Sequence, residues 1–304
     1  MEGGLQLKDK LSPLLVLLAA VLWGTTGTAQ TFAPAHTHPI SFGAMRLAFG
    51  GATLLLFVLL QGKLNLKNWS IKEVCLAAIA MACYQPFFFS AVNMTGVAIG
   101  TVVAIGSSPI LAGIMEWLFN KKLPTRSWWL ATLVAITGCL LLFTNDSAVQ
   151  VDPFGILLAL GAGISFASYT LVSKELLKTQ APEAVVAVVF TLAAVLLTPL
   201  LFIFDISWLF QINGIGTSLF LGVFATGIAY SLFIKGLVKI PASTAVTLSL
   251  FEPLTAALLG AFLVGEALSF QSWAGVALIF LAIVLVSFAP RKVTKIKNKQ
   301  RISS

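Results

Sequence analysis

The stretch LSLFEPLTAALLG, residues 248–260, carries one carboxylate, Glu252, followed at once by Pro253. Apolar or small residues flank the pair for about ten positions on either side. A charged side chain in hydrocarbon costs at least ~2.5 kcal/mol. Glu252 is therefore expected to face a cavity or a partner, or to hold a proton. Its chemistry would be to pair with a substrate amine or to couple transport to a proton. The alternative is a structural hydrogen bond that fixes a helix break. Pro253 supplies such a break, because it lacks an N–H and crowds the carbonyl one turn earlier.

Arg46 is the second group that could do chemistry. Its planar guanidinium can clamp a carboxylate with two parallel bonds. It can equally snorkel to a nearby interface. A substrate bearing both an amine and a carboxylate would suit Glu252 and Arg46 together. Aromatic residues are the expected cavity wall, since ligand cavities are mostly apolar with a few placed polar groups. Trp23 and Tyr84 lead that set, with Phe87, Phe88, Tyr169 and Tyr230. Each of these also reads as ordinary core. Ser108 and Ser249, with Gln85, Asn93 and Thr244, could add hydrogen bonds. His36 and His38 sit two residues apart with no acid or cysteine beside them, which reads as a loop and not a metal site. Cys75, Cys83 and Cys139 fall in apolar runs without metal-ligand spacing and read as small buried hydrophobes. No metal and no cofactor is expected.

The elements that must position these residues are membrane helices. The 304-residue chain is 58% hydrophobic and 10% charged, with mean hydropathy +0.97. Runs of about 20 apolar residues recur along it, the length needed to cross a hydrocarbon core of ~30 Å. Spans are predicted near 11–33, 40–61, 73–92, 95–118, 127–144, 153–173, 183–204, 214–235, 241–263 and 270–289. The long alternation of a β-barrel is absent, so the spans are helices. Glu252 then lies about 11 residues, or ~16 Å, into the ninth span, near mid-membrane. Arg46 lies about two turns inside the second.

Charge orients the spans. Of the 19 Lys and Arg, all except Arg46 fall at the N-terminus, in the even-numbered loops or in the tail. The odd-numbered loops carry Asp146, Asp152, Asp205 and Glu266 instead. The positive-inside rule then places both termini in the cytoplasm and requires an even number of spans. The net charge of +8 belongs to this pattern and to a basic juxtamembrane tail facing anionic lipid, not to nucleic-acid binding. Glu116, at the inner end of the fourth span, is expected to pair with Lys121 and Lys122 or to remain solvated.

The two halves are alike. Residues 91–143 slide onto 235–287 without a gap, placing Pro109 on Pro253, Ala98 on Ala242 and Trp129 on Trp273. Each half has five spans, an odd number, so the second copy is inverted relative to the first. Inverted repeats belong to secondary transporters, whose substrate sites lie near the midplane at interrupted helices. Pro109 and Pro253 are the matched helix breaks. The acid is not matched, because Ser108 stands where the second half has Glu252.

The segment YSLFIKGLVKIPASTAVTLSLFEPLTAALLGAFLVGEALSFQSWAGVALIFLAIVLV, with Ala242-Ser243-Thr244-Ala245, Glu252-Pro253 and Gly265-Glu266, resembles the EamA-type repeat of the drug/metabolite transporter superfamily. Trp23-Gly24 is similar to that family's first-helix motif. The resemblance spans about residues 13–289 and is weaker in the first half, where Ser107-Ser108-Pro109 and Asn120-Lys121-Lys122 depart from the pattern. It implies a ten-helix carrier of small solutes, in a family of exporters of amino acids, metabolites and drugs with some importers and exchangers.

The expectation is an all-α polytopic protein of the cell membrane, with ten helices in two inverted five-helix repeats, 11–144 and 153–289, and a basic cytoplasmic tail, 290–304. The expected function is secondary transport, as an exporter of small metabolites such as amino acids. Its partners are a small-molecule substrate, the lipid bilayer and protons as coupling ion. An exchanger or importer of another small solute is the alternative. A membrane enzyme would need a constellation of His, Asp, Ser or Cys at membrane depth that the sequence lacks. A channel would need rings of polar residues.

Overall fold

The computed structural model describes residues 2–65, 67–121, 123–142, 152–264 and 268–288. Asp146, Lys122, Gly265, Glu266 and the tail 290–304 lie outside the described residues. No strand occurs among the described residues. Eight helices are long and apolar enough to cross a membrane, and two further apolar helices are shorter. In chain order the ten are α1 (Leu11–Gln30), α2 (Pro39–Leu60), α3 (Ile71–Gly96), α4 (Ile99–Asn120), α5 (Arg126–Leu142), α6 (Pro153–Leu176), α7 (Pro182–Phe202), α8 (Ile212–Leu237), α9 (Ala242–Leu263) and α10 (Phe270–Val286). The shorter two are α5 and α10. The chain is an all-helical, multi-pass membrane protein.

Local chemistry sets the helix ends. Pro39 opens α2, and the His38 side chain before it accepts from the Ile40 N–H at 3.3 Å. Pro153 opens α6, and the Asp152 carboxylate accepts from the N–H groups of Phe154 at 2.8 Å and Gly155 at 3.4 Å. Proline at the first helical position loses no bond, because that N–H has no partner inside the helix. Between α3 and α4 the chain reverses at Gly96, with φ +82° and ψ 161°, a region essentially restricted to glycine. Outside the spans, Asp205 holds its carboxyl below the usual range, because the backbone N–H and then the hydroxyl of Ser207 donate to it.

The paired prolines do not behave alike, which corrects the expectation of a helix break at both. Helix α4 continues through Pro109. There the Ser108 hydroxyl donates to the Ala104 carbonyl at 2.7 Å and the Ser107 hydroxyl donates to it at 3.3 Å. Such back-bonding onto a helix carbonyl is compatible with a helix that bends but does not end, and the carbonyl that loses its donor to Pro109 is that of Ile105, one turn earlier. In α9 the helical run Ala242–Leu248 stops, a turn forms at Ser249 and Leu250, and Phe251–Leu259 resumes with Pro253 in its first turn. Proline is tolerated in a first turn because its donor is not needed there.

The helices pack as α1 on α8 and α9, α2 on α7 and α8, the α3–α4 pair on α6, and α5 on α10. Glycine makes several of these contacts close. A Cβ on Gly24 of α1 would lie 2.5 Å from the Thr255 Cβ and 2.7 Å from the Glu252 carbonyl oxygen. A Cβ on Gly275 of α10 would lie 2.6 Å from the Gly138 carbonyl oxygen of α5. Small residues at helix crossings are the usual means of tight packing in lipid, where apolar burial gives no drive. Large apolar side chains such as Leu11, Leu14, Leu18, Leu56 and Phe57 are exposed, as expected of a surface solvated by hydrocarbon and not by water.

Candidate functional site

Four helices each contribute one face to a common cavity. Along α1 the face is Trp23, Thr26, Gly27 and Gln30; along α9 it is Ser249, Glu252, Pro253 and Ala256. Both follow the i, i+3, i+4, i+7 spacing of one helix face. Helix α3 adds Tyr84, Phe88 and Val92, and α4 adds Thr101, Ile105 and Ser108. Arg46 of α2, Phe166 of α6 and Tyr230 of α8 complete the wall. The cavity holds about 900 Å³ of empty space, open solvent at its mouth included. A second hollow, lined by Ala33, Pro34, Thr37 and Asn93, shares Gln30 and Val92 with it. The cavity therefore opens toward the end of the bundle that carries the α1–α2 turn.

The wall is aromatic. Trp23 packs its ring 4.8 Å from that of Tyr230 and 5.8 Å from that of Phe166. Tyr84 stacks on Phe88 at 5.6 Å and meets Phe166 at 5.8 Å. Such pairs add ~0.5–1.5 kcal/mol beyond the area they bury and hold the wall stiff. Two polar atoms in this wall, Trp23 Nε1 and Thr26 Oγ1, are buried without a hydrogen-bond partner among the described residues. Buried polar groups without partners are costly, which marks this part of the wall as strained in polarity.

Two groups of opposite charge share the cavity. Glu252 is half-buried, and no ion pair or hydrogen bond to its carboxylate occurs among the described residues. Its backbone N–H donates to the Ser249 carbonyl at 2.9 Å, which closes the turn that interrupts α9. Arg46 is 5% exposed. Its Nε donates to the Thr226 hydroxyl at 3.1 Å and its Nη2 to the Ala225 carbonyl at 3.2 Å. No ion pair joins Arg46 to Glu252 among the described residues. The arrangement can therefore receive a cation at one place and an anion at another.

Of the residues singled out from sequence, Trp23, Arg46, Tyr84, Phe88, Ser108, Tyr230, Ser249, Glu252 and Pro253 come together here. Tyr169 and Pro109 are absent from the lining. Tyr169 is fully buried one layer behind it, its ring 5.9 Å from Tyr230 and 5.8 Å from Phe190. Phe87 packs against Gly161 of α6. Gln85 is fully buried with neither amide atom partnered among the described residues, and its Cβ lies beside Gly43 of α2. Ser108 and Ser249 spend their hydroxyl protons on the carbonyls of Ala104 and Val246. Thr26, Gln30 and Phe166 were missed. The first two follow Trp23 at helical spacing, a signal the sequence does contain. Thr226 gave no local signal, because its partner lies 180 residues away.

At the opposite end of the bundle, side-chain bonds tie helix ends to one another. Glu183 of α7 receives Lys63 at 3.1 Å and Lys235 at 3.3 Å. The Gln180 amide donates to the carbonyls of Lys67 at 2.9 Å and Asn68 at 3.0 Å. Lys174 donates to the carbonyls of Leu237, Val238 and Ile240 at the end of α8. Glu116 accepts from the Ser243 N–H at 3.2 Å and from its hydroxyl. Glu116 thus bonds the start of α9 and forms no ion pair with Lys121 among the described residues; the other expected partner, Lys122, lies outside them.

Comparison with known proteins gives a consistent picture. The chain matches the EamA-like transporter family twice, over residues 10–144 and 153–288. It is 56% identical over 286 residues to a protein of Bacillus subtilis (strain 168) named uncharacterized transporter YwfM, covering 94% of this chain and 97% of that one. It is 27% identical over 311 residues to the threonine/homoserine exporter RhtA of Escherichia coli (strain K12), covering 98% and 99%. One solved structure, 20% identical, superposes with a TM-score of 0.79 over 90% of this chain and 95% of its own, which shows a shared fold.

Proposed function

This chain belongs to the EamA-like transporter family and is a membrane transporter, and from that premise we propose that it exports small metabolites bearing an amine and a carboxylate, such as amino acids, across the cytoplasmic membrane. The observation that carries this reading is one cavity in which Glu252 and Arg46 both stand without bonding each other. A zwitterion places its ammonium near Glu252, its carboxylate near Arg46 and its apolar part on the Trp23–Tyr230–Tyr84 wall. The exporter named above for threonine and homoserine supports this substrate class. Glu252 doubles as the coupling site, because one carboxylate that takes either a proton or a substrate ammonium makes the two exchange. The proton gradient then drives export.

The transport cycle is alternating access between two inverted repeats, 11–144 and 153–289, with the tail 290–304 and both termini in the cytoplasm. All ten helices span in this reading. The 17 residues of α5 reach about 25 Å, the short end of what spans a bilayer. Reciprocal packing supports the repeat: α1 lies on α8 and α9 as α6 lies on α3 and α4, while α2 meets α7 and α5 meets α10. Basic residues cluster at the opposite end, so the cavity described above opens outward.

The test is expression in cells challenged with a panel of toxic amino acids and metabolites, beside a Glu252→Gln version at equal abundance. Resistance to amine- and carboxylate-bearing compounds that disappears in Glu252→Gln is expected. Resistance that survives the substitution, or none across the panel, rejects the reading.

A further inference from the structure

The backbone of α8 from Leu221 to Ile228 is wound as a π-helix. In that winding each N–H reaches back five residues, and such segments recur at functional sites. A carbonyl displaced from the regular ladder is free to accept from another helix. Ala225 offers such a carbonyl, and the Arg46 Nη2 of α2 donates to it. The next residue, Thr226, accepts from the Arg46 Nε through its hydroxyl.

Thr226 is fixed from its other side as well. Its Cβ and methyl lie against Gly50, one turn beyond Arg46 on α2, where an added Cβ would stand 2.7 Å from the Thr226 Cβ. So the threonine presses its methyl on the glycine and turns its hydroxyl to the guanidinium. Two of the five guanidinium N–H groups find acceptors among the described residues, and three are left there. Both acceptors are neutral, so they orient the charge without cancelling it. Glu252 lines the same cavity but forms no ion pair with Arg46 among the described residues, and a buried charge without a bonded partner favours an incoming counter-charge.

We propose that Thr226 and the π-wound turn of α8 form a socket that holds Arg46 with its remaining Nη donors toward the cavity, as a receptor for the carboxylate end of the cargo. Thr226 is thus a positioning residue, and the cargo class it selects is a small carboxylate. The socket limits the rotamer freedom that a long guanidinium side chain otherwise loses on each binding event. This rests on the zwitterion reading above, and the experiments separate the two.

The first measurement needs no transport. Phenylglyoxal labels arginine, and its adduct on the Arg46 peptide is followed by mass spectrometry in the purified full chain, with acetate as the carboxylate probe and methylammonium as the control. Acetate is expected to slow labelling in the wild type and in Thr226→Ser, which keeps the acceptor. In Thr226→Val, which keeps the methyl against Gly50 and loses the acceptor, protection is expected to fall by roughly tenfold, the effect of losing one bond to a charged group. Equal protection in all three proteins overturns the proposal. So does a wild-type Arg46 that acetate does not protect or the reagent does not reach, since a receptor must be accessible from the cavity.

The second measurement is flux of any amino acid found by the panel. Thr226→Val is expected to raise the half-saturation concentration about tenfold with the maximal rate within about twofold, and Thr226→Ser to restore it. Unchanged half-saturation in Thr226→Val overturns the socket and leaves the amino-acid reading standing. Acetate protection that depends on Thr226, with no amino acid transported, does the reverse.

Discussion

Glu252 and Arg46 are the residues on which transport is expected to turn. Arg46 keeps two neutral acceptors, Thr226 and Ala225, and the cavity beside it holds no bonded counter-charge among the described residues. Replacing it removes a charge-assisted bond to substrate, worth ~1.5–3 kcal/mol. Arg46→Gln is therefore expected to weaken half-saturation for a zwitterion by about ten- to hundredfold, measured as flux in proteoliposomes, while the amide analogue of the same substrate is affected far less. Equal losses for both compounds would assign Arg46 a structural role. At this scale the sequence was informative about type and not about geometry. A lone acid and a lone cation at membrane depth announce themselves by cost. That both line one cavity, and that Tyr169 stands a layer behind it, depends on which way each helix is rotated.

At the scale of elements, α9 owes its break to Pro253, while α4 runs on through Pro109. The two prolines look equivalent in a residue-by-residue match, but Pro109 sits inside a continuous helix while Pro253 falls in the first turn of a new helical run. The interrupted α9 then brings the Glu252 carbonyl against Gly24 of α1. A methyl there meets backbone, which cannot yield, so α1 and α9 must separate. Gly24→Ala is expected to cost about 1–3 kcal/mol and to lower the melting temperature in detergent. Gly27→Ala, three residues on with nothing within 4 Å of its added Cβ, is the control and should hold or gain stability, since alanine exceeds glycine in helix propensity by ~1 kcal/mol. Similar melting temperatures for the two variants would show that the α1–α9 contact is loose. The Trp23-Gly24 pair was visible in sequence; the reason for its glycine is the helix it touches.

For the whole molecule, the proposed alternating access would be controlled by the end opposite the cavity mouth. Glu183 sits 11% exposed between Lys63 and Lys235, which are 47% and 39% exposed. Ion pairs of this kind contribute up to ~1 kcal/mol each and weaken as salt screens them. Glu183→Gln is expected to move the population toward the state open at the basic end by about three- to tenfold. Maleimide labelling of a cysteine placed at Ser243, beside Glu116, reads this as faster modification from the side that the basic end faces. An unchanged rate would mean that Gln180, Lys174 and Glu116 close that end without Glu183.

Sequence alone determined that the chain is a bundle of membrane helices, because apolar runs of spanning length have no other stable form in lipid. It also determined the asymmetry of charge between loops and between halves, since these are properties of the linear order. Tertiary structure decided the rest: which helix faces converge on the cavity, that Glu116 bonds Ser243, and that Arg46 of α2 is held by Thr226 of α8. Those contacts join residues more than a hundred positions apart. In lipid, apolar residues on every face of a helix solvate equally well, so hydrophobic pattern cannot set a helix's rotation. Only glycine contacts, aromatic packing and the few polar bonds between helices do that, and they exist only once the bundle has assembled.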